Sequence, residues 1–424
     1  MNSMPLQLVE DSARFSCSGC TNCCDQPWRT MIEADKAHAL DRHDFSAYPQ
    51  LAGRTFYHEP ADGRVGYYDL AKGEGTRCLF LGADGRCIIH KELGAEAKPA
   101  MCRQFPFLPS RTWTDDRVSL NYGCPSVQGQ RGELLSSQER EISAVVPRSE
   151  RAHKGPGVRV PIDMTHDMPH DRYEEMLDRA LELFSDARGG DIWTRFAELI
   201  ALVVVVRDTE EVPRIDGAGS GMARLSRFTN PAQAPMAVRM LFAATLYPDT
   251  VPADQTAPVG VFKRLARLPR LLALARLSGA YPSRVLGRNI SIDRVLAHDV
   301  AGGLDPSATR LLLRYFRSRL WQRLLVGTRL PVVAGVHQHI HDLNAVLFLA
   351  TAEAERLGAT TLSEESIRKA LTCVEFHLAN QVRLYEQTLK GWMKTNLCSA
   401  AMALQAVRLF AEREPASTSP QTVV

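Results

Sequence analysis

The stretch "FSCSGCTNCCDQPW" places Cys17, Cys20, Cys23 and Cys24 within eight residues, and it constrains the N-terminal fold more than any other segment. Ser18, Gly19, Thr21 and Asn22 fill the gaps; they are small and polar, so hydrophobic packing does not account for the cluster. Disulfides or a metal remain. Of the ten cysteines in 424 residues, eight fall between Cys17 and Cys124, and only Cys373 and Cys398 lie beyond. The start "MNSMPLQLVEDSARF" lacks a basic segment followed by an apolar one, as a secretory leader would show. The longest apolar run, "LIALVVVV" at 199–206, is too short for a bilayer span, so no transmembrane segment is expected. The expected location is cytoplasmic, where thiols stay reduced and dense cysteines point to a metal rather than to disulfides.

The pattern is C-x2-C-x2-C-C, followed by Cys78, Cys87, Cys102 and Cys124. Thiolates are soft donors suited to zinc and iron–sulfur clusters, and a two-residue gap lets both sulfurs of a knuckle face one metal. Side chains of adjacent residues diverge, so Cys23 and Cys24 can both bind only in a tight turn or across two sites. "DGRC" at 84–87 predicts a tight turn between "CLFL" and "CIIH", a hairpin flanked by two thiols. The candidate metal ligands are thus Cys17, Cys20, Cys23, Cys24, Cys78, Cys87, Cys102 and Cys124. Eight thiolates supply two four-coordinate zinc sites, or one four-iron cluster with thiols to spare.

The blocks "CSGCTNCC", "CLFLGADGRCIIH" and "KPAMCRQFPF" together resemble the YkgJ-type cysteine-cluster family, described as zinc- or iron-chelating. Lys98, Pro99, Cys102, Arg103, Phe105 and Pro106 match its third block, and the resemblance covers about the first 125 residues. His90 stands where that family often has tyrosine, which makes it a packing or supporting group before a ligand. More loosely, the chain resembles flagellin lysine N-methylases. It shares an N-terminal cysteine cluster, a later Cys-Pro dipeptide (Cys124–Pro125) and a mainly helical C-terminal half, although their first cysteine block is spaced differently. That second resemblance implies an iron–sulfur cluster, S-adenosylmethionine and a protein substrate, without naming a catalytic residue. It tips the expected metal toward iron–sulfur.

The rest of the chain has an ordinary globular balance, 45% apolar and 23% charged, with a net charge of +3 that says little about partners. The expected fold class is α+β: a small cysteine-rich metal-binding module with short hairpins, then a mainly α-helical domain. The boundaries read as 1–146 for the cysteine-cluster domain, 147–161 for a linker rich in Pro, Gly and charge, 162–412 for the helical domain, and 413–424 for a disordered tail. "MIEADKAHAL" at 31–40 is the best helix candidate of the first domain. In the second, Tyr173, Met176, Leu177, Ala180, Leu181 and Phe184 share a helical face. Gly358 ends one helix and Ser363 starts another, whose stripe runs Ile367, Leu371, Val374, Leu378, Val382, Tyr385, Leu389, Trp392 over about seven turns.

Three weaker signals accompany these. "IDGAGSG" at 215–221 resembles the glycine-rich loop that holds S-adenosylmethionine in doubly wound methyltransferases, but Pro213 and Arg214 occupy the place of the strand that must precede one, so an interhelical loop is the better reading. In "HQHIHD", His337 and His341 have the i, i+4 spacing of two metal ligands, with no third identifiable. Residues 261–329 carry fourteen Lys or Arg against three Asp, a basic stretch fit for an anionic partner; without interleaved aromatics, nucleic acid is not expected. Two function classes follow: a protein lysine N-methylase, or a non-catalytic metal-stabilised interaction or scaffold protein.

Overall fold

The computed structural model describes residues 6–9, 13–26, 28–60, 63–111, 115–146, 159–188, 190–213, 234–247, 268–283, 286–300, 302–322, 331–378 and 396–410, to which the following refers. They divide into two compact units, residues 1–152 and 153–424.

The first unit is built from short strands. Asp116–Leu120 is the centre of a three-stranded sheet, parallel to Leu6–Leu8 and antiparallel to Phe107–Arg111. A second sheet pairs Tyr67–Leu70 with Met31–Glu33 on one side and Tyr57–His58 on the other. Strands this short contribute few ladder bonds, so the unit leans on its side chains. Its core gathers Ile32, Leu40, Phe45, Phe80 and Ile88, all buried, with the Phe45 and Phe80 rings edge-on at 5.6 Å. Cys78 and Cys87 pack on the margin of this core, so two of the thiols are attached to it.

Two local expectations are corrected here. The segment 31–40 is not one helix: Met31–Glu33 is a strand and the helix is Ala34–Asp41. Pairing with Tyr67–Leu70, which buries Ile32 completely, overrides the helical pattern at its start. At 82–87 the tight turn forms, with Gly85 at φ +76° and Gly82 N–H donating to the Arg86 carbonyl at 2.8 Å. Only Leu81 and Cys87 bridge across it, however, and Ile88–Leu93 is a helix rather than a returning strand.

The second unit is mainly helical, with two small hairpins, Arg159–Pro161 with Asp167–Pro169 and Ala280–Ser283 with Arg288–Ser291. The 26-residue helix Val332–Leu357 runs through its middle, packed by Met236–Leu246, Glu364–Cys373 and Ala400–Val407. Its residues are buried around most of the circumference, as expected of a helix enclosed by others. Gly358 ends it at φ +66°, a left-handed cap without a Cβ penalty. Ser363 then accepts from Ser366 N–H to start Glu364–Cys373, which passes into a π-helical turn, Val374–Leu378. The rest of the expected stripe lies outside the described residues, as do 147–158 of the expected linker and the tail; 159–161 form a strand. Helix His170–Leu183 buries Tyr173, Met176, Leu177, Ala180 and Leu183, whereas Leu181 is half-buried.

The run at 199–206 lies within helix Ile192–Thr209, and among the described residues no helix is long and apolar enough to cross a membrane. Part of the basic stretch has work inside the unit. Arg288 donates to the Ala352 carbonyl and faces Glu353, Arg294 pairs with Glu355, and Arg319 pairs with Glu375. Lys263, Arg264 and Arg267 lie outside the described residues, as does 215–221; Arg270 is exposed.

Candidate metal centre

The chain enters the cysteine loop from the two-residue strand Arg14–Phe15, paired with Glu133–Leu134, and Ser16 N–H donates to the Arg131 carbonyl at 2.9 Å. Gly132 makes this approach possible. It sits at φ +101°, and a Cβ there would run into the backbone nitrogen and side chain of Ser16. Beyond Cys17 the loop winds tightly, with Gly19 at φ +67° and Thr21 at φ +64°. A threonine in the left-handed region costs roughly 1 kcal/mol or more, so its surroundings must impose it. From Thr21 the chain makes the 3-10 turn Asn22–Cys24, closed by Cys24 N–H to the Thr21 carbonyl at 2.8 Å. The turn brings the adjacent Cys23 and Cys24 sulfurs to 3.8 Å, so these side chains do not diverge.

Two sets of contacts hold the other thiols against this loop. On one side, Asn22 Nδ2 donates to the Gly123 carbonyl at 3.1 Å and the Ser126 hydroxyl to Ser18 Oγ at 2.9 Å, which fastens the residues flanking Cys124 to the loop that carries Cys17, Cys20 and Cys23. On the other, Cys78 N–H donates to the Cys24 carbonyl at 2.7 Å and Asp25 bridges to Arg77. Cys87 follows through the turn at 82–87, and Cys102 comes from the short helix Ala100–Gln104. Cys373 and Cys398 belong to the second unit.

A family model described as "CxxCxxCC: Putative zinc- or iron-chelating domain" matches residues 16–125. Residues 16–125 carry the CxxCxxCC domain. Neither the search of curated proteins nor that of solved structures finds a match. The matched span begins one residue before Cys17 and ends one after Cys124, so it holds all eight N-terminal thiols.

Within the CxxCxxCC domain the electrostatics follow the geometry. Cys23 is pushed far up, first by its sulfur contact with Cys24, in which either thiol can donate, then by burial and the nearby Cys17 and Cys20. Cys24 falls to about 7 through the same contact; burial opposes the fall, and Lys98 and Lys72 assist it. The two sulfurs are coupled, so that ionisation of one holds the proton on the other. Burial raises Cys78 to about 11 against the Phe80 N–H, and Cys102 to about 12 with Cys78 adding repulsion. Cys87 and Cys124 are raised by burial as well, opposed by the His90 and Val127 N–H groups respectively.

Burial thus favours the protonated thiol at Cys78, Cys87, Cys102 and Cys124, while backbone N–H groups and two lysines favour thiolates. A soft metal fits that donor set, because its charge offsets the desolvation of the sulfurs. Among the described residues no three His, Cys, Asp or Glu side chains yet close into a coordination shell. His90 is exposed, and its part is the backbone N–H beside Cys87. Sequence reasoning passed over Lys72 and noted Lys98 only as part of the third block, since lysines carry no ligand signal; only the folded chain places them by Cys24.

The histidine cluster of the second unit lies on helix Val332–Leu357. His337 and His341 are fully buried with rings stacked at 4.9 Å, and His337 Nδ1 is 3.2 Å from the Leu397 carbonyl. His339 Nδ1 is 3.6 Å from Asp342. No third ligand joins the stacked pair among the described residues.

Proposed function

We propose that this protein binds zinc or iron–sulfur through the eight thiols of its CxxCxxCC domain, and that the metal serves to hold the loops of that domain together as an interaction module. The observation that carries the reading is the Cys23–Cys24 turn, which concentrates two sulfurs at 3.8 Å in a loop that also holds Cys17 and Cys20, with four further thiols, Cys78, Cys87, Cys102 and Cys124, coming from three other segments. The strands around it run only two to five residues, so cross-linking by a metal adds constraint that the ladders lack.

The test is chelation of metal-loaded full-length chain, followed by thermal unfolding and calorimetric titration with S-adenosylmethionine. Loss of metal with a lower melting temperature, and no heat of cofactor binding, supports the structural reading. Cofactor binding with transfer of labelled methyl to a lysine-containing protein replaces it by the lysine N-methylase reading, in which the metal centre is part of an enzyme. An unchanged melting temperature after complete metal loss sinks the clamp.

A further inference from the structure

We propose that the eight thiols form two separate four-thiol metal sites parted between adjacent residues: Cys17, Cys20, Cys23 and Cys124 in one, Cys24, Cys78, Cys87 and Cys102 in the other. This rests on the metal-binding reading above and adds to it the number of sites and the ligands of each.

The backbone sets the division. Hydrogen bonds on the two sides of Cys124, Asn22 to Gly123 and Ser126 to Ser18, fasten that thiol to the C-x2-C-x2-C run. A different bond, Cys78 N–H to the Cys24 carbonyl, fastens the turn carrying Cys78 and Cys87 to the next residue along. The helix that carries Cys102 is fastened to the same core: Ala100 N–H donates to Glu33 Oε1 at 3.2 Å, on the strand whose Ile32 lies in the core that Cys78 and Cys87 pack against. Contact between the sets is made by Cys23 and Cys24 themselves.

Coordination arithmetic agrees. A tetrahedral zinc–thiolate site with bonds of about 2.3 Å has a sulfur–sulfur edge of about 3.8 Å, so Cys23 and Cys24 are close enough to share one ion. Sharing would leave two places for six thiols that lie in two groups of three. Parting the pair gives each group its fourth ligand. The first set, C-x2-C-x2-C with a remote Cys-Pro, has the ligand types and spacing of an iron–sulfur run. The second has Lys72 acting on Cys24 and Cys78, and Lys98 on Cys24, Cys87 and Cys102. Two ammonium groups there offset the two negative charges that four thiolates leave on a divalent ion.

The test uses the full chain purified anaerobically. Metal is withdrawn stepwise with a chelator, freed thiols are alkylated at each step, and mass spectrometry reads which cysteines are labelled. Two cohorts, Cys17/Cys20/Cys23/Cys124 and Cys24/Cys78/Cys87/Cys102, each rising together, are expected. One cohort of eight, or cohorts that mix the sets, overturns the division while leaving metal binding intact. Protein that carries no metal and labels at all eight thiols from the outset sinks the metal-binding reading and the division with it. In parallel, Cys23→Ser and Cys24→Ser should each lose one site and keep the other. Iron with visible absorbance or colourless zinc, read on the retained site, tells which metal each set holds; the same loss in both variants counts against the division.

Discussion

The N–H of Cys78 donates to the carbonyl of Cys24 at 2.7 Å, so the thiol next to Cys23 is tied by its backbone to a turn more than fifty residues away. The bond joins the tightest part of the cysteine loop to the margin of the Phe45–Phe80 core. Damage to either should therefore be felt at both.

Gly132→Ala tests how far the loop depends on its entry. The new Cβ collides with Ser16, immediately before Cys17, at a backbone conformation that disfavours side chains. A loss of about 2 kcal/mol or more is expected in denaturant unfolding, together with lower metal content. Gly358→Ala is the control, left-handed at φ +66° but with open space around it, and should cost only about 1 kcal/mol with metal retained. Equal effects from the two would contradict the collision.

Glu375→Ala probes the helical unit. Glu375 is buried on the π-helical turn, pairs with Arg319 and accepts from the Tyr315 hydroxyl at 3.0 Å. Removing it leaves the half-buried Arg319 guanidinium without its paired carboxylate, only the Asp342 charge still acting on it, a change that costs roughly 2–3 kcal/mol. Replacing both by apolar groups, Arg319→Met with Glu375→Leu, should restore much of that loss. A double variant as weak as the single one would argue against an unpaired charge as the cause.

His337 and His341 set an acid limit for the same unit. Burial pulls His337 down to about 4, partly opposed by the Leu397 carbonyl, and pulls His341 well below its ordinary value with help from His337. The unfolded chain takes up these protons near pH 6.5, before the folded one does. The stabilisation is therefore whole above that pH and declines as pH falls toward 4, by about 3 kcal/mol for His337 alone. His337→Leu with His341→Leu should flatten the pH dependence of unfolding between pH 7 and 4.5. A variant with the wild-type slope would remove these histidines from the account.

What the sequence made legible is what depends on single residues. Cysteine spacing located the domain, Gly358 and Ser363 marked a helix end and a helix start, and the Tyr173–Ala180 face was buried as spaced. What it hid depends on partners distant in the chain. Strand pairing with Tyr67–Leu70 removed 31–33 from the expected helix. The closeness of Cys23 and Cys24 hangs on Thr21 adopting a left-handed conformation, which spacing does not encode. The basic stretch looked like one surface, yet Arg288, Arg294 and Arg319 are engaged by carboxylates from 353–375.

Metal analysis with a visible spectrum, on full-length protein purified anaerobically, tests the central claim most directly. The account predicts stoichiometric zinc, or iron with the broad visible absorbance of a thiolate-bound cluster, lost when Cys102 and Cys124 are both replaced by Ser. Protein that is metal-free as isolated, takes up neither zinc nor iron, and unfolds at the same temperature with or without chelator would contradict it.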